Sequence, residues 1–462
     1  MDRRDFLKAT GITAASLTWG GCLVSGGEFS IKKSSRPNII VILVDDLGYG
    51  DLSCYGATDL KTPNIDRLVS DGIRLDSFYA NCPVCSPTRA ALLTGRYPDL
   101  VGVPGVIRTN IQDNFGHLAP EVVMLPEVLS QAGYHTACVG KWHLGLEPPN
   151  VPNERGFNHF HGFLGDMMDD YYDHLRGGLN FMRFNDKEID PGGHATDLFT
   201  EWGIDYIRQR AQSGKPFFMY LAYNAPHTPI QPPSKWVERV KKREDGIDEK
   251  RTKLVALIEH LDDGIGRVTS ELKETGVYEN SLIIFTSDNG GQVDVGASNG
   301  ELNGSKGQMY EGGLRVPFCA VWPGKIERGL RNNKYVGLTM DLFPTICEAA
   351  GATFEHEIDG ESILSVLMGR REELEERYMF WVRREGWNHG GRAFYAVRYG
   401  NWKLLQNNAF EKMKLYNLKD DPGELKPLGR EYKMYGRLFG QLRNHIIRSG
   451  RVAWQRPAKI NE

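Results

Sequence analysis

Two short acidic pairs, Asp45-Asp46 and Asp288-Asn289, each follow directly on an apolar run, 38–44 and 281–287. Three carboxylates and an amide oxygen make an all-oxygen set. Such a set suits a hard cation, Ca2+ before Mg2+, and lacks the imidazole or thiolate that favours zinc. One such pair is ordinarily a turn or a helix cap. Two pairs at the ends of two apolar runs are harder to explain that way. Arg89, Lys141, His143, His227 and Lys306 flank further apolar or glycine-rich stretches and could surround one anion beside that cation. Donors preset against developing charge are often the largest catalytic contribution, at roughly 2.7–4 kcal/mol each. Taken singly, each of these Lys or His residues is more often solvated or structural.

The segment Cys85-Ser86-Pro87-Thr88-Arg89, followed by Ala90-Ala91-Leu92-Leu93, has the pattern of a helix start. Ser86 is expected as the N-cap and Pro87 as the first helical residue, where a missing N–H costs nothing. Cys85 would then stand just ahead of the helix, where free N–H groups and the helix dipole favour an anion. Cys82-Pro83-Val84-Cys85 also has the C-x-x-C spacing of a thiol redox pair. Such a pair should follow a strand in a small thioredoxin-like unit, and Ala80-Asn81 is not a strand ending.

What could bring these groups together is a set of buried strands. The runs 38–44, 134–139, 217–223 and 281–287 are continuously apolar, as in strands covered on both faces of a mainly parallel sheet. Helical patterns lie between them. Pro63 to Asp71 is expected to be a helix capped by Thr62. Leu254, Leu257, Ile258, Leu261, Ile265 and Val268 share one helical face. Alternation of this kind predicts an α/β sandwich, in which ligands bind beyond the carboxyl ends of the strands. All four polar clusters stand at such ends. The tail reads differently, with short strands near 378–382, 395–399 and 402–405 and a helix from about 430 to 447. The expected division is an export signal and linker over 1–35, a catalytic domain over 36–370, and a C-terminal α+β subdomain over 371–462.

A net charge of −3 argues against nucleic acid as a partner. No apolar run reaches the roughly 20 residues that span a bilayer. Met1-Asp2-Arg3-Arg4-Asp5-Phe6-Leu7-Lys8 reads as a bacterial twin-arginine export signal, giving a periplasmic or outer-membrane, cell-surface location. Gly20-Gly21-Cys22 resembles a lipoprotein site with Cys22 as the lipid anchor, although Trp19 stands where leucine is usual. Of seven cysteines, removing Cys22 and Cys85 leaves five, so complete disulfide pairing is excluded. Cys138 and Cys319 are expected as buried thiols.

The cysteine segment is similar to that of the formylglycine-dependent (type I) sulfatases, relatives of alkaline phosphatase, in which a maturation enzyme oxidises the cysteine to an aldehyde. The likeness extends to Asp45–Asp51, Gly140–Gly145, Ala225–Pro229, Ser287–Gly291, Lys306–Pro317, Met340–Thr345 and Asp420–Glu424. It implies an alkaline-phosphatase-like sandwich with a large mainly parallel sheet, plus a smaller C-terminal domain with an antiparallel sheet and a helix. It implies hydrolysis of sulfate monoesters with catalytic Cys85, Arg89, Lys141, His143, His227 and Lys306. The metal set would be Asp45, Asp46, Cys85, Asp288 and Asn289. In that scheme the oxidised Cys85 hydrates to a gem-diol, one oxygen of which attacks sulfur, and Asp288 can accept its proton. His227, helped by Lys306, protonates the leaving alcohol. His143 then deprotonates the second hydroxyl, so that sulfate is expelled and the aldehyde regenerated, while Arg89 and Lys141 hold the diol and neutralise charge.

An exported enzyme of this kind points to a sulfated polysaccharide or oligosaccharide as substrate. Asp166, Asp170 and His174 are candidates for binding sugar hydroxyls, and Trp381, Arg383, Arg384, Trp387, His389 and Arg392 for stacking and cationic contacts. Each stretch could equally be surface loop or domain interface. Three other functions stay open. A phosphomonoesterase or phosphodiesterase of the same superfamily would carry Ser or Thr at position 85. A non-catalytic binder of sulfated glycans would leave Cys85 unoxidised, and a thiol oxidoreductase would bridge Cys82 to Cys85.

Overall fold

The computed structural model describes residues 36–110, 113–386 and 392–450. The export signal, Cys22, Trp387 and His389 lie outside the described residues. No helix among the described residues is long and apolar enough to cross a membrane.

The run Asn38–Val44 is the centre of an eleven-stranded mixed sheet. It pairs in parallel with Ser281–Ser287 on one side and with Phe217–Ala222 on the other. His135–Lys141 and His159–Phe163 extend the parallel set. Antiparallel strands flank it, Phe318–Val321 beside Ser281–Ser287 and Met182–Phe184 beside His159–Phe163. The reason the central runs show no alternation is visible in their packing. Ile39, Val41 and Leu43 enter one core, and Ile40, Ile42 and Val44 enter another on the opposite face. With both faces dry, every position of the strand is apolar.

Register decides where the polar residues go. Val44 lies opposite Ser287, Leu43 opposite Ala222, and Ala222 opposite Gly140. The residues that follow, Asp45, Asp288, Tyr223 and Lys141, therefore emerge along one rim. The long helix Glu249–Glu274 covers the second core with the apolar face expected from its periodicity. The helix Pro63–Asp71 has its expected limits, but the Thr62 hydroxyl does not cap it. That hydroxyl hydrogen-bonds Asp66 Oδ1 at 3.1 Å. Asp262 of the long helix instead accepts from the Asn64 and Ile65 amides, at 3.2 and 2.8 Å. A distant carboxylate does the work expected of the local threonine.

The tail forms a four-stranded antiparallel sheet, Met379–Arg384, Ala393–Tyr399, Trp402–Gln406 and Lys414–Asn417. The sequence pattern does not predict the last of these strands. The terminal helix runs Lys433–Ser449 and lays Tyr435, Leu438 and Leu442 on Val397, Leu404 and Leu415. The other face of this sheet packs Trp381, Ala396 and Leu405 against Tyr79, Ala91 and Leu314 of the main body. A buried charged group lies within the same contact. Lys403 Nζ is 2.9 Å from both Glu311 and Glu424, and Tyr79 donates to Glu311 at 2.6 Å.

Candidate active site

The helix Cys85–Thr94 is buried along its whole length. It begins two residues earlier than expected. Val84 is the N-cap, Cys85 is the first helical residue, and Ser86 lies inside the first turn. The Ser86 hydroxyl does not cap; it accepts the Ile107 amide at 3.0 Å. The turn before Cys85 is fixed by Thr88, whose hydroxyl accepts from the Cys82 amide at 3.1 Å and donates to the Cys82 carbonyl at 3.0 Å. Cys82 and Cys85 are both free thiols, and Cys82 Sγ donates to the Val382 carbonyl at 3.5 Å. Burial, reinforced by the charge of Asp45, pushes the Cys85 thiol well above its ordinary range. An unmodified thiol here stays protonated, and the protonated form is a poor nucleophile.

Ligand atoms of Asp45, Asp46, Cys85 and His227 all lie within 4.8 Å of one another, and all four residues are buried. Asp288 and Asn289 join this group through Asp46. The Asp46 amide donates to Asp288 Oδ1 at 3.2 Å, and Asn289 Nδ2 donates to Asp46 Oδ1 at 2.8 Å. Asp46 turns into the group with a φ of 67°. Asp45 Oδ1 and Asn289 Oδ1 are buried without a hydrogen-bond partner. Two orphaned oxygens in a dry pocket with further carboxylates beside them fit a hard cation. The sequence-based set therefore gathers here, with the imidazole of His227 added to it.

Fixed positive charge surrounds the acids. Arg89 donates through Nε and Nη2 to Asp288 Oδ2, at 3.0 and 2.7 Å, and through Nη1 to the Lys141 carbonyl at 3.1 Å. Lys141 Nζ reaches Asp45 Oδ2 at 2.5 Å, and Lys306 Nζ reaches Asp46 Oδ2 at 2.7 Å. Burial alone would raise Asp45, but Lys141, His227, Arg89 and Lys306 overturn it and hold the carboxyl well below its ordinary range. Asp288 responds in the opposite sense. Burial, then the charge of Asp45, pushes it up to about 7 despite Arg89. Of the two, Asp288 is the one that takes up a proton first.

The two histidines are set up differently. His143, at a φ of 63°, has Nε2 2.8 Å from the Ile107 carbonyl. A carbonyl only accepts, so Nε2 carries the hydrogen and Nδ1 keeps its lone pair. Nδ1 is buried without a partner, and burial, with Lys141 and Arg89, holds the ring well below its ordinary pKa. His227 donates Nδ1–H to the Thr228 carbonyl at 2.7 Å, which leaves Nε2 facing Asp46 Oδ2 at 3.6 Å. Burial and Lys306 lower its pKa against the pull of Asp46. Tyr171, which sequence reasoning missed, fixes the backbone here by donating to the His227 and Asn224 carbonyls, at 2.7 and 3.0 Å. Its neighbours Asp170 and His174 drew attention by charge, whereas a tyrosine in the same stretch carries no signal of its own.

The recognition candidates divide. Asp166 accepts from Arg176 at 3.0 and 3.2 Å, and Asp170 accepts from the Tyr172 and Asp173 amides and from Gln231. His174 hydrogen-bonds the Gly193 carbonyl at 2.9 Å. These polar atoms are engaged by other groups of the protein, Gln231 and Gly193 from outside the segment among them. Arg392 is exposed. Trp381 is fully buried, donating to the Ala80 carbonyl at 2.8 Å, and so cannot stack on a sugar. Arg383 is also turned inward, donating to the Gly307 carbonyl at 2.6 Å and to Glu385 at 2.8 Å. Gly307 N–H in turn donates to Pro83 O at 2.8 Å, so this arginine ties the tail sheet to the loops of Lys306 and Cys85. The second Glu385 oxygen lies 3.0 Å from Arg108, next to Ile107.

Known proteins resemble the chain over most of its length. The family model "Sulfatase" matches residues 37–352, and "N-sulphoglucosamine sulphohydrolase, C-terminal" matches 304–450. N-acetylgalactosamine-6-sulfatase of Canis lupus familiaris is 32% identical, covering 84% of this chain and 76% of that one. Arylsulfatase A of Homo sapiens is 32% identical, covering 84% and 82%. Among solved structures, Ps i-CgsB in complex with k-i-k-neocarrahexaose superposes with a TM-score of 0.83 at 29% identity, over 92% of this chain and 96% of that one. The fold is thus the alkaline-phosphatase-like sandwich with its smaller C-terminal sheet and helix.

Proposed function

The chain belongs to the sulfatase family and is a sulfuric ester hydrolase, and from that premise we propose that it removes sulfate from sulfated polysaccharides or oligosaccharides through a formylglycine made from Cys85 and a divalent cation. The observation that carries this reading is the placement of Cys85 at a helix N-terminus with Asp45, Asp46 and His227 within 4.8 Å. The names of similar proteins support the substrate class: an N-acetylgalactosamine-6-sulfatase among relatives, and a structure bound to a neocarrahexaose.

Asp45, Asp46, Asp288 and Asn289 would hold the cation, Ca2+ in preference to Mg2+ on their all-oxygen chemistry. The hydrated aldehyde would supply an oxygen nucleophile, and the bound cation would supply positive charge to the reacting sulfate group. Arg89 and Lys141, anchored on Asp288 and Asp45, add charge that needs no reorganisation as the reaction proceeds. Asp288 would both hold the cation and accept the proton of the attacking hydroxyl. His227 keeps Nε2 free to deliver a proton to the departing alcohol. Its ring rests neutral, so the proton is taken up as the anionic ester binds beside Lys306 and offsets that lysine's charge. His143, with Nδ1 unprotonated and unpartnered, accepts the proton released in the second half of the cycle. The balance is one ester and one water consumed, with one alcohol, one sulfate and one proton released.

The likeness to relatives that mature by oxidation supports a formylglycine-generating enzyme as a partner, and the amino-terminal twin-arginine pattern supports export to the periplasm or cell surface. Peptide mass spectrometry across Asn81–Arg96 after native expression is the test. An aldehyde at position 85, with hydrolysis of mono-sulfated sugars of defined linkage, is expected. A free thiol would favour a sulfated-glycan binder, and a Cys82–Cys85 disulfide would overturn the hydrolase reading in favour of redox chemistry.

A further inference from the structure

We infer that Arg384, whose guanidinium lies near the rings of Phe115 and Tyr395 and whose backbone is bonded to the segment that reaches His143, binds a second anionic group of the substrate, a sulfate or carboxylate on a sugar neighbouring the one that is desulfated. The inference rests on the sulfate-ester reading and adds that the preferred substrate carries several negative charges.

Two consecutive arginines end the strand Met379–Arg384, and their surroundings differ completely. Arg383 is buried and spends its guanidinium on Gly307 and Glu385. Arg384 is half-buried, with its guanidinium carbon 5.6 Å from the Phe115 ring centre and 5.8 Å from that of Tyr395. No carboxylate pairs with it among the described residues. The nearby acid cannot serve, because Glu385 is already shared between Arg383 and Arg108. Glu385 is also buried, at 1% exposure, whereas Phe115 is 38% exposed.

Its position links it to the chemistry. The Arg384 amide donates to the Pro104 carbonyl at 2.9 Å. Three residues on, Ile107 gives its amide to Ser86 and its carbonyl to His143. The arginine is thus joined by one short backbone segment to the nucleophile helix and to the proposed base. Cation–π contacts with the two rings restrain the guanidinium while leaving its N–H groups for a fork-like contact with sulfate or carboxylate. Ordering the side chain in advance removes part of the cost of binding. A small aryl sulfate has no group to place there, whereas a multiply sulfated glycan does.

Arg384→Gln and Arg384→Lys, purified with confirmed aldehyde at Cys85, would test this by inhibition of 4-nitrophenyl sulfate hydrolysis. Multiply sulfated oligosaccharides of carrageenan, chondroitin and heparin type serve as probes, with inorganic sulfate as the reference inhibitor. Without its charge-assisted hydrogen bonds, Arg384→Gln should show a Ki for the tightest oligosaccharide raised roughly tenfold or more, well beyond any change for inorganic sulfate. Arg384→Lys should recover part of the affinity. Equal shifts for oligosaccharide and sulfate, or no shift for either, would overturn the inference. Failure of the aldehyde-bearing wild type to release sulfate from the aryl ester and from every oligosaccharide tested would count against the sulfate-ester reading itself, and so against what is built on it.

Discussion

His143 illustrates how a single hydrogen bond assigns a chemical role. Its Nε2–H is spent on the Ile107 carbonyl, so only Nδ1 can take a proton. His143→Gln keeps a donor for that carbonyl and removes the base. We expect kcat to fall by about 10²–10⁴, the usual range for a lost general base, with the melting temperature nearly unchanged. Steady-state kinetics on an aryl sulfate, with thermal melts alongside, would check it. A histidine far from the site makes a different prediction. His161 stacks on Trp202 at 3.5 Å, and burial followed by His159 lowers its pKa to about 3. The folded ring resists a proton that the unfolded chain accepts near 6.5. Stability from this group is therefore complete above that value and drains away as pH falls toward 3. His161→Phe keeps the stack and cannot titrate, so its melting temperature should drop less than wild type between about pH 7 and about pH 5. At this scale the sequence was informative wherever a chemically distinctive residue closed an apolar run, as with Asp45, Lys141 and Asp288. It misled at Ser86, which lies inside the first turn with its hydroxyl turned to Ile107, and at Thr62, where Asp262 of a distant helix takes the amides instead.

The strands and loops turn these residues into one site through register and through cross-braces. In-register parallel pairing places Asp45, Lys141 and Asp288 along one rim, which periodicity and strand-end logic could anticipate. The brace formed by Arg383, Glu385 and Arg108 could not be anticipated, since nothing in a run of charges tells which one faces inward. Glu385→Gln would leave two arginines short of a buried countercharge. Breaking a buried pair in this way costs about 3–5 kcal/mol. Calorimetry should show that cost as a lowered melting temperature, accompanied by a reduced kcat because the Lys306 loop loosens. A variant as stable and as active as wild type would show the brace to be idle. The fourth tail strand, Lys414–Asn417, escaped detection because four residues are too few to establish alternation.

In the molecule as a whole, the groups that would hold the cation come from segments far apart in the chain, so metal and fold should report on each other. A cation that binds only the folded state stabilises it by mass action. Chelation is therefore expected to lower both activity and melting temperature, and added Ca2+ to restore both. Full activity after thorough demetallation would refute the cation. The paired sheet and its flanking cores were readable as an α/β sandwich because their apolar runs are long. The tail was readable only as strands and a helix, because its contact with the main body joins residues far apart in the chain, Trp381 and Leu405 on Tyr79 and Leu314, with Lys403 on Glu311 and Glu424 beside them. That contact has a consequence for ancestry and for engineering. A recombination breakpoint between positions 311 and 403 would part Glu311 from the Lys403–Glu424 pair and leave this buried charge cluster unbalanced unless both halves came from compatible parents, so the tail is not an interchangeable cassette. Chimeras made to transplant glycan preference should inherit the lysine loop and the tail from the same donor.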